Sequence, residues 1–360
     1  MTDEYFIKRA ISLARKGKGN VSPNPLVGAV LVKDGLIIGE GYHKSYGSNH
    51  AEVTALKAAR ADPQGATLYC NLEPCIHWGK TPPCTDAVIS SGIKRVVLGI
   101  QDPNPIVNGK GIQVLQEAGI KVVTNVLGEK CRELNEFYIK YITVGQPFVT
   151  VKMAQSIDGK ITKLIDTRYQ LSGIEAQQYV HRLRAEYDAV LIGRRTAEID
   201  NPLLTPRLVK GRVPVRVVLD THLSLNPDLA LFNTIHQGKI IVAIASASAE
   251  RIKQFQNKGI EILSAGTPDY QRVDIKKLLI QLGKLCISSV FVEGGAEVFT
   301  SFLRERLVDK ILLIITPYMM GSGVNILSSF SKTGEPIELV RMTMKRLGKD
   351  YLLNGIPHYQ

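Results

Sequence analysis

His50-Ala51-Glu52, then Glu73-Pro74-Cys75-Ile76-His77-Trp78-Gly79-Lys80-Thr81-Pro82-Pro83-Cys84, is the stretch on which the reading of this chain turns. It supplies one imidazole and two thiols in a fixed order. Zinc takes nitrogen and thiolate sulfur in tetrahedral geometry, and a catalytic site leaves one of four positions open for water. His50, Cys75 and Cys84 make a three-ligand set of that kind. Glu52 is not needed as a ligand. Placed two residues after His50, near the start of a predicted helix, it can take a proton from metal-activated water and return it to a leaving group.

The order H-x-E, then P-C, then a second Cys is the pattern of zinc-dependent hydrolytic deamination. The second half departs from it, because eight residues rather than two separate Cys75 from Cys84. That excursion must loop out and bring the second thiolate back, and Pro82 and Pro83 stiffen it. Other readings exist. An isolated H-x-E triplet is common, two distant cysteines can be core residues, and a structural zinc site would want a fourth protein ligand, for which Cys70 or His77 are candidates. The ordered set as a whole favours catalysis.

Outward from this stretch the chain alternates helical and strand patterns. Phe6, Ile7, Ala10, Ile11 and Leu13 carry a helical period over 3–15. Val27–Val32 and Leu36–Gly41 flank Lys33-Asp34-Gly35 and predict a hairpin. A helix is expected from about His50 to Arg60, strands at Thr67–Cys70, Val96–Gly99 and Lys121–Thr124, and helices from Cys84, over Gly111–Ala118 and over Glu129–Tyr141. Gly145-Gln146-Pro147 punctuates the chain and sets a domain boundary, giving 1–145 and 146–360. From Phe148 the expectation is a strand, a hairpin, a helix over Glu175–Glu186, a strand at Ala189–Ile192, strands near 215–219 and 239–244, a helix over 274–282, a strand at Val290–Val292 and a helix from Ala296. The whole reads as an α/β protein of two domains.

Composition agrees. The 360 residues suit two domains that can each bury a core without disulfides. The N-terminus is charged and has no apolar h-region, and no apolar run reaches a membrane-spanning length, so a cytoplasmic protein without membrane attachment is expected. Outside the metal set, Cys70, Cys131 and Cys286 read as small hydrophobes in strands. The net charge of +12 suits an anionic partner. The cations are dispersed and lack aromatic interleaving, so nucleic acid is not expected and a phosphorylated small molecule is.

Longer matches are more specific. Ser22-Pro23-Asn24-Pro25-Leu26-Val27-Gly28, Gly41-Tyr42-His43, His50-Ala51-Glu52, Glu73-Pro74-Cys75 with Gly79-Lys80-Thr81-Pro82-Pro83-Cys84, and Asp102-Pro103-Asn104-Pro105 with Asn108-Gly109-Lys110-Gly111 together resemble the RibD family of bifunctional riboflavin biosynthesis proteins. The resemblance implies a cytidine deaminase-like three-layer domain. It also implies a substrate, 2,5-diamino-6-ribosylamino-4(3H)-pyrimidinone 5′-phosphate, whose 2-amino group is removed hydrolytically with Zn2+ as cofactor. Asn24, His43, His77 and Lys80 would then line the pocket. Lys80 stands where the family usually has Arg, which keeps the charge but loses the planar fork. Trp78 stands where His or Tyr is common. Without the family, Asn24 could simply shape a turn between two prolines, and His43 could be a half-buried structural histidine.

The second half has no G-x-G-x-x-G. Phe148–Lys160, Gly193–Arg207 and Phe291-Val292-Glu293-Gly294-Gly295-Ala296-Glu297 resemble the reductase domain of the same family, which implies a dihydrofolate reductase-like fold and NADPH-dependent reduction of the ribosyl group to a ribityl chain. By that resemblance Ala154, Gln170, Thr196, Asp200, Thr221, Gly295, Ala296, Glu297, Val298, Phe299, Thr300 and Ser301 meet NADPH. Lys152, Arg168, Arg184, Leu204, Arg207 and Glu293 meet the substrate, with Arg184 and Arg207 as phosphate clamps. Taken alone, Arg184 reads as a solvated surface charge. The run Arg168-Tyr169-Gln170-Leu171-Ser172-Gly173 departs from the family, with Gln170 where Trp is usual and Arg168 where Ser is usual. An active deaminase with a weakened or altered reductase therefore stays open, as does an RNA-base deaminase suggested by the charge. A homo-oligomer is expected.

Overall fold

The computed structural model describes residues 1–78, 82–164, 169–327 and 336–359. The chain forms two compact units, Met1–Gly145 and Gln146–Gln360.

In the first unit, helix α1 (Asp3–Ala14) starts where the Thr2 hydroxyl accepts the Tyr5 N–H. Its buried face of Phe6, Ile7, Ala10, Ile11, Leu13 and Ala14 lies in the core with strand β1 (Gly28–Lys33). Strand β2 (Leu36–Tyr42) pairs antiparallel with β1. The turn between them is two residues long, and both Asp34 (φ 51°) and Gly35 (φ 74°) take the left-handed conformation that matches strand twist in a hairpin. Helix α2 (Ala51–Lys57) packs on β2 so closely that a Cβ on Gly41 would lie 2.4 Å from the Ala51 carbonyl oxygen. This contact fixes the start of α2, and His50 with it.

Strand β3 (Thr67–Leu72), helix α3 (Cys84–Ser90), strand β4 (Arg95–Ile100), helix α4 (Lys110–Glu117) and strand β5 (Lys121–Val123) follow. The sheet order is β2-β1-β3-β4-β5, with β1 antiparallel to β3 and β3, β4 and β5 parallel. The helix expected over Glu129–Tyr141 is two helices, α5 (Gly128–Leu134) and α6 (Glu136–Val144). Asn135 breaks them at φ −109°. Its buried side chain accepts the Leu26 N–H (2.7 Å) and donates to the Leu26 carbonyl (3.0 Å), clamping the segment before β1.

The second unit opens with β6 (Phe148–Gln155) and β7 (Lys160–Thr162). The hairpin expected here does not form. β7 pairs instead with β14 (Val324–Asn325), far along the chain, in a separate two-stranded sheet. Next come α7 (Ile174–Glu186), β8 (Ala189–Gly193), α8 (Arg194–Asp200), β9 (Val215–Leu219), β10 (Ile240–Ile244), α9 (Ala249–Asn257), β11 (Glu261–Ser264), α10 (Ile275–Lys284), β12 (Ser289–Val292), α11 (Ala296–Arg304) and β13 (Lys310–Ile315). β15 (Glu338–Leu347) and β16 (Asp350–His358) form a C-terminal hairpin. The nine-stranded sheet runs β11-β10-β9-β8-β12-β6-β13-β16-β15, parallel from β11 to β13 and antiparallel beyond. Among the parallel strands, β8, β10 and β12 are near-continuous apolar runs buried on both faces. Cys286 is not a strand residue. It is exposed and sits at φ 60° just beyond α10, whereas Cys70 and Cys131 are buried.

Candidate functional sites

In the first unit, α2 and α3 both begin at the carboxyl side of the sheet. His50 is the residue before the first turn of α2 and Cys84 is the first residue of α3. Cys75 lies beyond the end of β3. His50 Nδ1 lies 3.1 Å from Cys84 Sγ and 3.4 Å from Cys75 Sγ, and the donor atoms of all three residues lie within 4.8 Å of one another. The thiols are not equivalent. Sharing the Cys84 proton and facing His50 lowers the Cys75 pKa, and the same sharing with burial raises that of Cys84. His50 is raised by its bond to Cys75.

Glu52 is 3 % exposed, and its Oε2 has no hydrogen-bond partner among the described residues. Burial first, and then the Cys75 charge, push its pKa to about 7. A buried carboxylate oxygen left without a partner is costly. Its presence beside three convergent soft and imidazole donors fits a site built for a divalent ion with an open position.

Asn24 and His43 are joined by a 3.2 Å contact between Nδ2 and Nε2, and His43 Nδ1 lies 3.2 Å from the Asn49 carbonyl. His43 is buried rather than half-buried, and its ring meets the His50 ring edge-on at 5.3 Å. Burial lowers its pKa. His77 and Trp78 are exposed, and Lys80 lies outside the described residues.

Glu73 carries a role that its place before Pro74-Cys75 only hinted at. Its buried carboxylate accepts three backbone N–H groups at 3.0 Å each, from Asp102, Gly109 and Ile112. The base of the Cys75 loop is thus fastened to the start of α4. Asp102 accepts the Tyr138 hydroxyl at 2.9 Å, and burial raises its pKa to about 6.

In the second unit, one cavity of about 1410 Å³ opens at the carboxyl ends of the parallel strands, the usual place for a ligand in such a sheet. It gathers residues distant in sequence: Lys152 and Ala154 from β6, Gln170, Arg184 from α7, Thr196 and Asp200 from α8, Leu204, Arg207, Thr221 after β9, Glu293, and Gly295 to Phe299 with Ser301. Thr300 is not among them. Its side chain is buried and its hydroxyl donates to the Ala296 carbonyl (2.6 Å). Arg168 lies outside the described residues. Gln170 folds back on its own segment, donating to the Ser172 carbonyl and hydroxyl at 3.2 Å each.

Arg184 is no solvated surface charge. Its side chain is 11 % exposed and makes a two-pronged pair with Glu293, Nε to Oε1 at 2.5 Å and Nη2 to Oε2 at 2.9 Å. Lys152 Nζ stands 3.6 Å from the same carboxylate. Burial works to raise the Glu293 pKa, but Arg184 and Lys152 outweigh it and hold it near about 2. Gly294 and Gly295 let the start of α11 close on β8. A Cβ on Gly294 would lie 2.7 Å from Ile192 Cα, and Gly295 takes φ 54°.

These two sites define a class: a zinc-dependent deaminase of the cytidine deaminase kind joined to a reductase with a cavity at the ends of a parallel sheet. Residues 1–100 match the cytidine and deoxycytidylate deaminase zinc-binding region, and residues 147–353 match the RibD C-terminal domain. The riboflavin biosynthesis protein RibD of Aquifex aeolicus is 41 % identical over 353 residues, covering 98 % of this chain and 97 % of that protein. RibD of Escherichia coli strain K12 is 34 % identical over 98 % of this chain and 99 % of its own length. The crystal structure of a diaminohydroxyphosphoribosylaminopyrimidine deaminase/5-amino-6-(5-phosphoribosylamino)uracil reductase from Thermotoga maritima is 38 % identical, covers 99 % of both chains and superposes with a TM-score of 0.87. The chain belongs to the RibD family. It is a bifunctional enzyme of riboflavin biosynthesis, a deaminase and a reductase, with zinc and NADPH as cofactors. Among the described residues, no helix is long and apolar enough to cross a membrane.

Proposed function

We propose that His50, Cys75 and Cys84 hold the zinc ion, that Glu52 moves the protons, and that Asn24 and His43 hold the substrate's pyrimidine ring. The substrate on this reading is 2,5-diamino-6-ribosylamino-4(3H)-pyrimidinone 5′-phosphate. Zinc held by these donors supplies a Lewis acid that brings the ionisation of water close to neutral pH. Glu52, whose Oε2 has no partner among the described residues, takes one proton from water and passes it to the ring nitrogen, then takes the second from the newly added hydroxyl and passes it to the departing amine. The Asn24–His43 contact and the Asn49 carbonyl hold the imidazole in one orientation.

In the reductase cavity, Glu293 holds Arg184 in place, and Arg207 lines the same space. Two guanidinium groups there favour the substrate's phosphate. NADPH supplies the hydride, and the chain supplies placement along Thr196, Asp200, Thr221 and the start of α11. The 146–360 unit is the reductase and the 1–145 unit the deaminase.

The observation that carries the deaminase assignment is the partnerless Glu52 oxygen beside the three-donor cluster. Glu52→Gln tests it. Zinc content should stay at the wild-type level while ammonia release falls by about 10²–10⁴-fold. Release at the wild-type rate would overturn the role of Glu52. For the reductase, Arg207→Ala should raise KM for the deaminated pyrimidine phosphate and leave KM for NADPH unchanged.

A further inference from the structure

His181 lies one helical turn before Arg184 on α7 and lines the reductase cavity with it. His181 is 4 % exposed. Nδ1 accepts the backbone N–H of Leu208 at 3.2 Å, and Nε2 stands 3.5 Å from Arg184 Nη1. Leu208 belongs to the segment that carries Leu204 and Arg207 into the cavity, and Arg184 Nη1 also donates to the Thr205 carbonyl of that segment at 3.3 Å. Thus α7 holds the 204–208 segment at two points three residues apart, one through an imidazole acceptor and one through a guanidinium donor.

We infer that His181 is a positioning residue of the reductase. By accepting the Leu208 N–H it fixes the 204–208 segment against α7, so that Arg184 and Arg207 converge on one phosphate. An acceptor without positive charge is what this place requires. A lysine or arginine could not accept the N–H, and a carboxylate would compete with the substrate's phosphate for both guanidiniums. The Leu208 N–H makes the imidazole an acceptor at Nδ1, which puts its proton on Nε2, so the 3.5 Å approach of Nε2 to Arg184 Nη1 is a contact between two donors and not a hydrogen bond. The charged groups facing it are Arg184, Arg207 and Glu293. Burial first, then the two arginines, keep the ring neutral by lowering its pKa to about 4, with Glu293 opposing them.

This inference rests on the reading that Arg184 and Arg207 take the substrate's phosphate, so the two are tested side by side in the full chain with zinc and NADPH. His181→Leu removes the acceptor at similar bulk, and His181→Asn restores an oxygen acceptor near the Nδ1 position. His181→Leu should raise KM for the deaminated pyrimidine phosphate about tenfold, the order of one part-buried hydrogen bond lost from the segment. KM for NADPH and kcat should stay within about twofold of wild type, and His181→Asn should recover most of the loss. If Arg207→Ala raises that KM but His181→Leu does not, the positioning role is overturned while the phosphate site stands. If Arg207→Ala leaves KM unchanged, the phosphate reading itself falls. Equal losses in His181→Leu and His181→Asn, with NADPH binding lost as well, would mark a general packing role and also overturn the inference. Should His181→Leu fail to fold, a His181→Asn enzyme with a tenfold higher substrate KM and unchanged NADPH KM would overturn it, since the oxygen acceptor would then have failed to substitute.

Discussion

Replacing Glu293 by Gln keeps the shape of a buried side chain and removes the charge opposite Arg184. The amide oxygen can still accept one guanidinium N–H, but the amide nitrogen then faces the other donor. Two routes give the magnitude. The Glu293 pKa of about 2 against its ordinary 4.5 corresponds to about 3 kcal/mol of stabilisation at neutral pH. Breaking one partner of a buried ion pair costs about 3–5 kcal/mol, because the other charge stays behind. Both groups are nearly enclosed, with side chains 11 % and 6 % exposed, so solvent screening does little to reduce either figure. In a domain of this size about 3 kcal/mol lowers the melting temperature by about 6–12 °C. Scanning calorimetry of the full chain at pH 7 should show the reductase transition of Glu293→Gln lowered by that amount. The sign with pH follows from a depressed carboxyl: its contribution is complete above about 4.5 and disappears as pH falls towards about 2. The deficit of the variant should therefore shrink steadily below pH 4.5 and close only as pH nears about 2. A melting temperature within about 2 °C of wild type at pH 7, or a deficit that stays constant down to pH 3, refutes the reasoning.

Each unit has a hydrophobic core of its own, so chelating the metal should stop ammonia release and leave NADPH oxidation with deaminated substrate intact; loss of both activities would contradict that independence. Gly294→Ala forces a Cβ to within 2.7 Å of the β8 backbone, and NADPH binding followed by fluorescence should weaken at least tenfold, whereas wild-type affinity would show that α11 can shift freely. Glu73→Gln withdraws the charge that gathers three backbone N–H groups, each such bond worth about 1.5–3 kcal/mol when charge-assisted. Zinc should then be lost faster to a chelator, and an unchanged loss rate would show that the Cys75 loop does not depend on this anchor.

The parts legible in the sequence were those written in local chemistry. Asp34-Gly35 specified the β1–β2 hairpin because both residues had to turn left-handed. The apolar period of α1 and the apolar runs of the parallel strands were visible for the same reason. Pairing partners far away in sequence were not. β7 finds β14 rather than β6, and the long C-terminal hairpin carries an edge strand, β15, whose exposed Arg341, Lys345 and Arg346 break any alternation. Asn135 looked like an ordinary helix residue until its clamp on Leu26 was seen. The order of His50, Glu52, Cys75 and Cys84 pointed to one centre because ligand type is explicit in a sequence. The burial of Arg184 was hidden because its partner, Glu293, lies 109 residues away. His181 carried no signal beyond sharing a helix face with Arg184.

The eight-residue excursion between Cys75 and Cys84 closes at its own neck. The Thr85 N–H donates to the Cys75 carbonyl at 3.3 Å, the Thr85 hydroxyl donates to the same oxygen at 3.4 Å, and the Cys84 N–H points at Cys75 Sγ at 3.4 Å. The two sulfurs are therefore registered by backbone outside the excursion, not by its contents. Doubling the length of such a loop costs only about 0.6 kcal/mol in closure entropy. The spacing of the two sulfurs is thus set at the neck, and the sequence between them can diverge in length and side chains to suit a new substrate without disturbing it.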